Sequence, residues 1–385
     1  MVACAVRWCN AGWPVRKSSP GNGPPGDCWG FIHEWGGETV SFLHDEIFEQ
    51  PQVLRTLIEA EGENATEIAA LVRERRVPYV VIAARGSSDH AALYAKYLLG
   101  TMNHLPVALA TPSLFTMYQS PPQLKDALVI GISQSGESPD IISVVSGARE
   151  QGALTLAITN EAGSPLAQAA EHVLPCHAGV ERSIAATKTY TAQLVAVALL
   201  GTALAEDEPL QGELQAIPDA VEKTLTLSEV VQRAAERYRY MEQCVVLGRG
   251  YNYATAYELS LKLKELTYVV AEPYSSADFM HGPIAIIERG FPVIVIVPHG
   301  AVYDEVKSLA RSLQEERQAE LIVISDQDEA LALAKTPLWL PVSVEEWLSP
   351  ILCIIPGQLF AHHLTLVKGF DPDHPRGLHK VTITQ

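Results

Sequence analysis

Solid runs of apolar residues, separated by stretches with helical spacing, are the main pattern of this chain from about residue 43. The runs span Tyr79–Ala84, Val107–Ala110, Ala127–Ile132 and Ala153–Thr159. A strand that is buried on both faces has a continuous apolar sequence, whereas a half-buried strand alternates. Strands of this kind, alternating with helices, predict an α/β fold built on a parallel sheet. Before the first strand, an amphipathic segment broken at Pro51 and helical spacing over 63–76 predict helices.

The chain also repeats itself. YVVIAARGSS (79–88) aligns with CVVLGRGYN (244–252), and two later strand segments align with partners at the same spacing of about 165 residues. Three matches in order indicate a duplicated domain. The copies are predicted at 43–215 and 216–385, with the polar segment AEDEPLQGELQAIPDA (205–220) at the junction.

The first 42 residues differ from the rest in composition. Residues 10–30 are rich in Gly, Pro and Trp without any period, and they lack the apolar core of a signal peptide. Two interpretations remain open: a disordered tail, or translated upstream DNA with the natural start at Val40. We favour the second, and N-terminal mass spectrometry of the natively expressed protein would test it.

Charge and cysteine content narrow the functional class. The net charge of −17 argues against a nucleic-acid partner or an anionic membrane surface. No apolar run is expected to reach the length of a membrane-spanning helix. The six cysteines form no C-x-x-C pair, which excludes zinc-ribbon and thioredoxin-like motifs. Their scatter predicts free thiols and a cytoplasmic protein.

Short polar residues follow two predicted strands, in RGSS (85–88) and in SQSGES (133–138). In an open parallel sheet, ligands bind beyond the carboxyl ends of the strands, where helix N-termini offer free N–H groups. The second copy has PHGA in place of SQSGES, so the fold itself does not require the serines. These segments predict a cradle for a phosphate monoester, made by Gly86, Ser87, Ser88, Ser133, Gln134, Ser135 and Ser138. Ordinary helix N-caps at Ser88 and Ser138 are the structural alternative.

SQSGES resembles the phosphate-binding signature of the sugar isomerase (SIS) domain. The likeness extends through EIFEQP (46–51), LGRG (247–250), LSLKLKELTYVVAE (259–272), HGPIAII (281–287) and LHKVTITQ (378–385). It implies two tandem SIS domains, each a flavodoxin-like three-layer sandwich, similar to the isomerase half of glutamine–fructose-6-phosphate amidotransferases. No glutaminase motif accompanies it.

The resemblance also implies roles for individual residues. Glu265 matches the base that moves a proton between C1 and C2, and His281 the ring-opening histidine that a neighbouring subunit supplies. Lys380 matches the tail lysine that forms a Schiff base, and Lys262 lies one turn before Glu265 on the same helix face. Further substrate contacts are implied at Ala185 and Lys188. From the residues alone, Glu265–Lys262 could be a surface ion pair, His281 a plain loop histidine and Lys380 a solvated tail lysine.

Two departures separate the chain from the amidotransferases. Arg85 stands where they have a small residue or Cys, and Ala186 stands where they have Ser. ERS (181–183) with AATKTYT resembles the stand-alone SIS deaminases better.

The expected function is therefore deamination of glucosamine 6-phosphate to fructose 6-phosphate without a metal or redox cofactor, by an obligate homodimer. A fructosamine-6-phosphate deglycase, an aldose–ketose phosphosugar isomerase and a non-catalytic sugar-phosphate sensor are the alternatives.

Overall fold

The computed structural model describes residues 41–380 and contains two five-stranded sheets whose paired strands are all parallel. The first sheet has the order β2-β1-β3-β4-β5 and the second has the order β7-β6-β8-β9-β10. Each order is that of a flavodoxin-like doubly wound sheet. The predicted α/β fold with two parallel sheets flanked by helices is confirmed.

The first copy contains the five strands β1 Val80–Ala83, β2 Val107–Leu109, β3 Leu128–Ile132, β4 Leu154–Thr159 and β5 His172–Pro175. Its helices are α1 Phe42–Phe48, α2 Gln50–Glu74, α3 Ser87–Asn103, α4 Ser113–Thr116, α5 Pro139–Glu150, α6 Pro165–Ala169 and α7 Lys188–Ala205. The first helix ends before Pro51, as predicted, because Pro51 lies in the first turn of α2.

Three helices lead to the second copy: α8 Glu208–Gln215, α9 Ile217–Leu225 and α10 Ser228–Arg237. Its strands are β6 Gln243–Gly248, β7 Val270–Ser275, β8 Pro292–Ile296, β9 Glu320–Ser325 and β10 Thr336–Trp339. Its helices are α11 Asn252–Thr267, α12 Ser276–Met280, α13 Tyr303–Glu315, α14 Asp328–Leu331 and α15 Ser349–Val367. Each strand begins 163 to 166 residues after its counterpart in the first copy.

Burial explains why the central strands read as solid apolar runs. Every residue of β1, β3 and β4 is buried, since helices cover both faces of the sheet. The 41–380 region forms one compact body, in which α11 packs against α15 on one side and against α3 of the first copy on another. The predicted extension lies outside the described residues except for Ser41, which caps α1, and Phe42, which begins it. The domain boundaries at 215 and 216 remain a prediction.

Among the described residues, the stretch Glu346–Val367 is long and apolar enough to cross a membrane by length and composition alone. The expectation that no segment reaches this length is therefore wrong. However, 89% of its most apolar 18-residue window is buried inside the protein, where α15 packs on α9, α10 and α11. This burial is typical of a core helix.

Candidate active site

The packing of α3 on α11 brings the start of the serine turn of the first copy against the second copy. Ser87, the first residue of α3, donates a hydrogen bond from Oγ to Oε1 of Glu258 at 2.9 Å. The Nζ atom of Lys262 lies 3.3 Å from the same hydroxyl. Residues 171 and 175 positions apart in sequence therefore share one polar cluster.

The centre of this cluster is a set of three charges on one face of α11. Glu258, Lys262 and Glu265 are spaced i, i+4 and i+7, which places them on the same side of the helix. Lys262 Nζ lies 3.4 Å from Glu258 and 2.7 Å from Glu265. Lys262 and Glu258 are fully buried, whereas the side chain of Glu265 is 23% exposed. Of the three, Glu265 is the group that a substrate can reach.

The charges of the cluster stabilise each other against burial. Burial lowers the pKa of Lys262, but the carboxylates of Glu258 and Glu265 outweigh it and raise that pKa well above its ordinary value. Burial likewise raises the pKa of Glu258, yet Lys262 and His90 outweigh it and lower that pKa. Lys262 is therefore a cation and Glu258 an anion at neutral pH. The alternative of a surface ion pair is wrong for Lys262, which is 1% exposed.

The predicted phosphate cradle lies at the carboxyl ends of β1 and β3, which pair directly. The hydroxyl of Ser133 accepts a hydrogen bond from the N–H of Gly136, and that of Ser135 accepts one from the N–H of Glu137. Gly136 has φ +64°, and a Cβ atom there would lie 2.1 Å from Oγ of Ser164. The turn therefore requires glycine at this position. The backbone carbonyl of Gln134 accepts from the N–H of Asn160.

Ser88 and Ser138 do not act as hydrogen-bonding caps. The N-cap of α3 is Gly86, and Ser88 is the second residue of that helix. Ser138 occupies the N-cap position of α5 without a side-chain cap bond. Gly86 has φ +56° and open space where a Cβ would stand. Neither hydroxyl is therefore used as a cap, and the N–H groups at the start of α3 lie beside an exposed glycine.

Lys380 lies against a buried carboxylate. Its Nζ donates to Oε2 of Glu181 at 2.8 Å and to the carbonyl of Ser183 at 2.6 Å. Glu181 also accepts hydrogen bonds from the N–H groups of Thr187 and Thr189, and its charge acts on Lys262. Lys380 is 28% exposed, so this tail lysine is tethered to the chain and still reaches solvent.

The remaining predicted residues lie outside this cluster. Lys188 is buried and pairs with Glu49 at 2.5 Å and with the carbonyl of Val180 at 2.9 Å. Ala185 is buried, and its carbonyl accepts a hydrogen bond from Ser183. His281 is exposed at the end of α12, where its N–H donates to the carbonyl of Asp278. Within this one chain, His281 forms no side-chain hydrogen bond with any described residue of the cluster.

Two members of the cluster were absent from the sequence prediction. Glu258 accepts from Ser87 and lies 2.7 Å from Nδ1 of His90. The i, i+4, i+7 spacing with Lys262 and Glu265 was the available signal for Glu258. Glu181 was noted only within a motif, and no local pattern marks its contact with Lys380, 199 residues away.

The second copy has a counterpart of the cradle, and a carboxylate of the chain fills it. The N–H of Ala301, in the turn after β8, donates to Oε2 of Glu346 at 2.7 Å. Gly250, with φ +59°, and Gly300 both face the same carboxyl group. Glu346 therefore lies where an anion would bind in the first copy.

Two cavities, of about 490 and 870 Å³, lie away from the predicted cradle. The smaller is lined by His90, Tyr253, Tyr257 and residues of β7, and neither is lined by a predicted site residue. The candidate site is therefore defined by the buried charges of α11 and not by either cavity.

Comparison with known proteins finds the same domain family in both halves of the chain. The family model described as SIS domain matches residues 74–203 and 239–368. The isomerizing glutamine–fructose-6-phosphate aminotransferase of Aquifex aeolicus is 36% identical over 357 residues, covering 92% of this chain and 60% of that protein. The chain thus spans about three fifths of the length of this relative.

Two solved structures resemble the chain. The C-terminal domain of glucosamine-fructose-6-phosphate aminotransferase from Francisella tularensis has TM-score 0.78 and 28% identity, covering 88% of this chain and 99% of that one. Glucosamine-6-phosphate deaminase from Thermotoga maritima has TM-score 0.72 and 22% identity, covering 89% of this chain and 100% of that one. The second likeness concerns the fold alone.

Proposed function

Because the chain belongs to the SIS-domain family, with one domain in each half, we propose that it is an amino sugar phosphate deaminase. It converts glucosamine 6-phosphate and water to fructose 6-phosphate and ammonia. One observation carries the proposal. The buried charge set of α11, with Glu265 at its accessible end, meets the serine turn of the first copy through the Ser87–Glu258 hydrogen bond.

This arrangement suits a reaction at two adjacent carbons of a phosphorylated sugar. The cradle would bind the phosphate and fix the far end of the molecule, which orients C1 and C2. Glu265 would remove the proton from C2 of the open-chain aldehyde and deliver it to C1. The product of this step is the C2 imine of the ketose, with C1 reduced to an alcohol and C2 oxidised.

Hydrolysis completes the balance. Water adds to the C2 imine carbon, the C–N bond breaks, and ammonia leaves with the ketone formed at C2. Lys262, held as a cation by two carboxylates, would stabilise negative charge that develops on the sugar oxygen during proton transfer. Once it leaves Glu181 and loses a proton, Lys380 would hold the ketose product as a Schiff base; one water leaves as the C=N bond forms and is taken up again when hydrolysis frees the ketose and the lysine.

Ammonia release from hexosamine 6-phosphates is the direct test. We expect turnover of glucosamine 6-phosphate that survives added chelator and is nearly abolished in Glu265→Gln. A matched control is Glu272→Gln, which changes an exposed carboxylate on β7. Clean turnover of a non-aminated aldose phosphate or of a fructosamine 6-phosphate, with no ammonia from any hexosamine 6-phosphate, would replace the deaminase by the isomerase or the deglycase. Binding without any turnover would favour the sensor.

We also propose a homodimer with shared sites. His281 is exposed, and the elements around it carry the exposed apolar residues Val270, Met280 and Ile286, whose exposed fractions are 58%, 48% and 48%. Apolar exposure of this kind is typical of a surface that another molecule covers. A second subunit that covers it would deliver His281 to the cluster of its neighbour.

The proposed location is the cytoplasm. The described cysteines Cys176, Cys244 and Cys353 are buried free thiols, which a reducing compartment preserves. Fractionation of cells that express the full chain would test this assignment.

A further inference from the structure

We propose that Arg85 is a substrate-binding residue that adds a positive charge to the phosphate cradle. Nothing in the serine motifs requires an arginine at this position, which follows β1 and precedes Gly86. The inference rests on the proposed function only in taking a phosphorylated ligand, since the cradle could hold one whether or not the chain releases ammonia.

The pairing of strands places Arg85 at one end of the cradle. Ala83 of β1 pairs with Gly131 of β3 in parallel register. Arg85 and Ser133 each follow two residues later, so they leave adjacent strands at the same edge of the sheet. Ser133, the first serine of SQSGES, therefore follows the strand that pairs with the strand before Arg85.

A side-chain contact also joins Arg85 to the far end of the loop over 133–140, at the start of α5. Its Nε donates to Oδ2 of Asp140 at 2.9 Å. Asp140 is the second residue of α5 and follows Ser138 by two positions. The guanidinium thus lies beside the N-terminus of α5. The loop of the cradle runs from Ser133, at the same sheet edge as Arg85, to Asp140, which pairs with Arg85.

The guanidinium keeps unused donors toward this space. Asp140 is 1% exposed and takes the Nε of Arg85, whereas the arginine side chain is 51% exposed. Its Nη atoms donate no hydrogen bond to any residue that the structure describes. Asp89 in the first turn of α3 is the other nearby acid: burial raises its pKa, and the charges of His90 and Arg85 lower it. Arg85 thus forms an ion pair with one carboxylate and its charge acts on a second. It would shield an incoming phosphate dianion from both.

The second copy provides an internal comparison. Arg249 stands at the same position after β6, and its guanidinium binds Glu305 in the first turns of α13 through Nε at 2.7 Å and Nη1 at 2.9 Å. The longer acid of this copy takes the Nε and Nη1 donors of its arginine and leaves Nη2, and the adjoining turn holds Glu346. In the first copy, the shorter Asp140 takes Nε alone and leaves both Nη atoms, beside a glycine with open space around it. The ion pair is common to both copies, whereas the first keeps more free donors and no carboxylate fills its turn at Gly86.

Titration calorimetry with inorganic phosphate distinguishes an arginine that binds phosphate from one that only forms a structural ion pair. Arg85→Gln and Asp140→Asn both break the ion pair, but only the first removes the cation. We expect Arg85→Gln to raise the phosphate Kd about ten- to a hundredfold, the range for a hydrogen bond between charged groups. Asp140→Asn should leave the Kd within about twofold or lower it, although both variants lower the melting temperature. Arg249→Gln is the matched control and should leave the Kd unchanged.

The outcomes are distinct. The inference would be overturned if Arg85→Gln and Asp140→Asn weaken phosphate binding equally, or if Arg85→Gln leaves the Kd unchanged. Arg85 would then serve only as the structural partner of Asp140. If Arg85→Gln fails to fold, Arg85→Met serves, since methionine keeps an apolar stem and removes the charge; a Kd equal to wild type would then count against the inference. Absence of ammonia release with Arg85-dependent phosphate binding would overturn the deaminase alone.

Discussion

Ser87 Oγ donates to Oε1 of Glu258 at 2.9 Å, and His90 of the same helix lies 2.7 Å from the other carboxylate oxygen, so α3 of the first copy is joined directly to the charged helix of the second. The first copy thus supplies the serine turns and the second the set of ionisable groups. The stability of the buried charge set is the first property to test.

Lys262→Met leaves Glu258 buried without its cation. Breaking a buried ion pair in this way typically costs about 3–5 kcal/mol, so the free energy of unfolding in urea should fall by about that amount. Arg233→Met is the control, because Arg233 and Glu229 form the same i, i+4 pair with side chains 71% and 87% exposed. That change should cost less than about 0.5 kcal/mol. Equal losses in the two variants would contradict the buried charge set.

Acid should destabilise the protein through the buried histidines of α15. Burial, with smaller effects from His363 and His44, lowers the pKa of His362 to about 3. An unfolded histidine titrates near 6.5, so the unfolded chain binds more protons below that pH. The contribution of His362 is complete above about pH 6.5 and is lost progressively as pH falls toward 3.

His362→Phe should therefore flatten the fall in unfolding free energy between pH 6.5 and pH 4.5. The change in slope should approach about 1.4 kcal/mol per pH unit, the value for one proton. His374→Gln is the control, because His374 is 80% exposed. Urea titrations at several pH values give both slopes, and identical slopes in wild type and His362→Phe would refute the assignment.

Gly136→Ala should damage both stability and substrate binding. The added Cβ would lie 2.1 Å from Oγ of Ser164, at a residue with φ +64°. Gly152→Ala isolates the backbone effect, since Gly152 has φ +85° and no atom within 4 Å of its Cβ position. We expect Gly152→Ala to cost about 1–2 kcal/mol with unchanged KM. Gly136→Ala should cost more and raise KM; equal effects would show that the loop adapts.

The double variant Ser133→Ala with Ser135→Ala should raise KM and lower kcat, because the phosphate end positions C1 and C2. Each hydrogen bond lost to a charged phosphate costs about 1.5–3 kcal/mol of binding. The two hydroxyls also accept bonds from Gly136 and Glu137, so we expect a stability loss of about 1–2 kcal/mol as well. A loss of stability with wild-type KM and kcat would show that both serines only stabilise the turn.

Mixing two inactive variants tests the shared site. His281→Ala and Glu265→Gln should each be nearly inactive, and subunit exchange should restore activity, since a heterodimer then holds one intact site. Random pairing makes half the dimers mixed, so recovery should approach about a quarter of the wild-type rate for independent sites. Confirmed exchange without recovery would place both residues in the site of one subunit.

The fold followed from the sequence where burial imposed a simple pattern. The central strands β1, β3 and β4 are buried on both faces, and their apolar runs predicted them within one or two residues. The edge strands β5 and β10 were not predicted, because one face of each is partly exposed and His172–Pro175 and Thr336–Trp339 mix polar and apolar residues.

The site was less accessible to sequence reasoning. The serine turns are short continuous sequences. They could be predicted as candidate site residues because the second copy has other residues at the corresponding positions. The contacts Ser87–Glu258, Arg85–Asp140 and Lys380–Glu181 join residues 171, 55 and 199 positions apart, and no periodicity marks such pairs. Only the folded structure identifies them: Ser87–Glu258 and Lys380–Glu181 join the two copies, and Arg85–Asp140 joins two strand ends within the first.

The carboxylate of Glu346 in the second cradle bears on stoichiometry. A duplicated sugar-phosphate fold would ordinarily offer two equivalent binding positions per chain, and communication between them could occur within one polypeptide. Here the side chain of Glu346, which binds the Ala301 N–H, occupies the second position. Saturation is thus expected at one equivalent of phosphosugar per chain, and a sigmoidal response to substrate would have to arise between the subunits of the proposed homodimer.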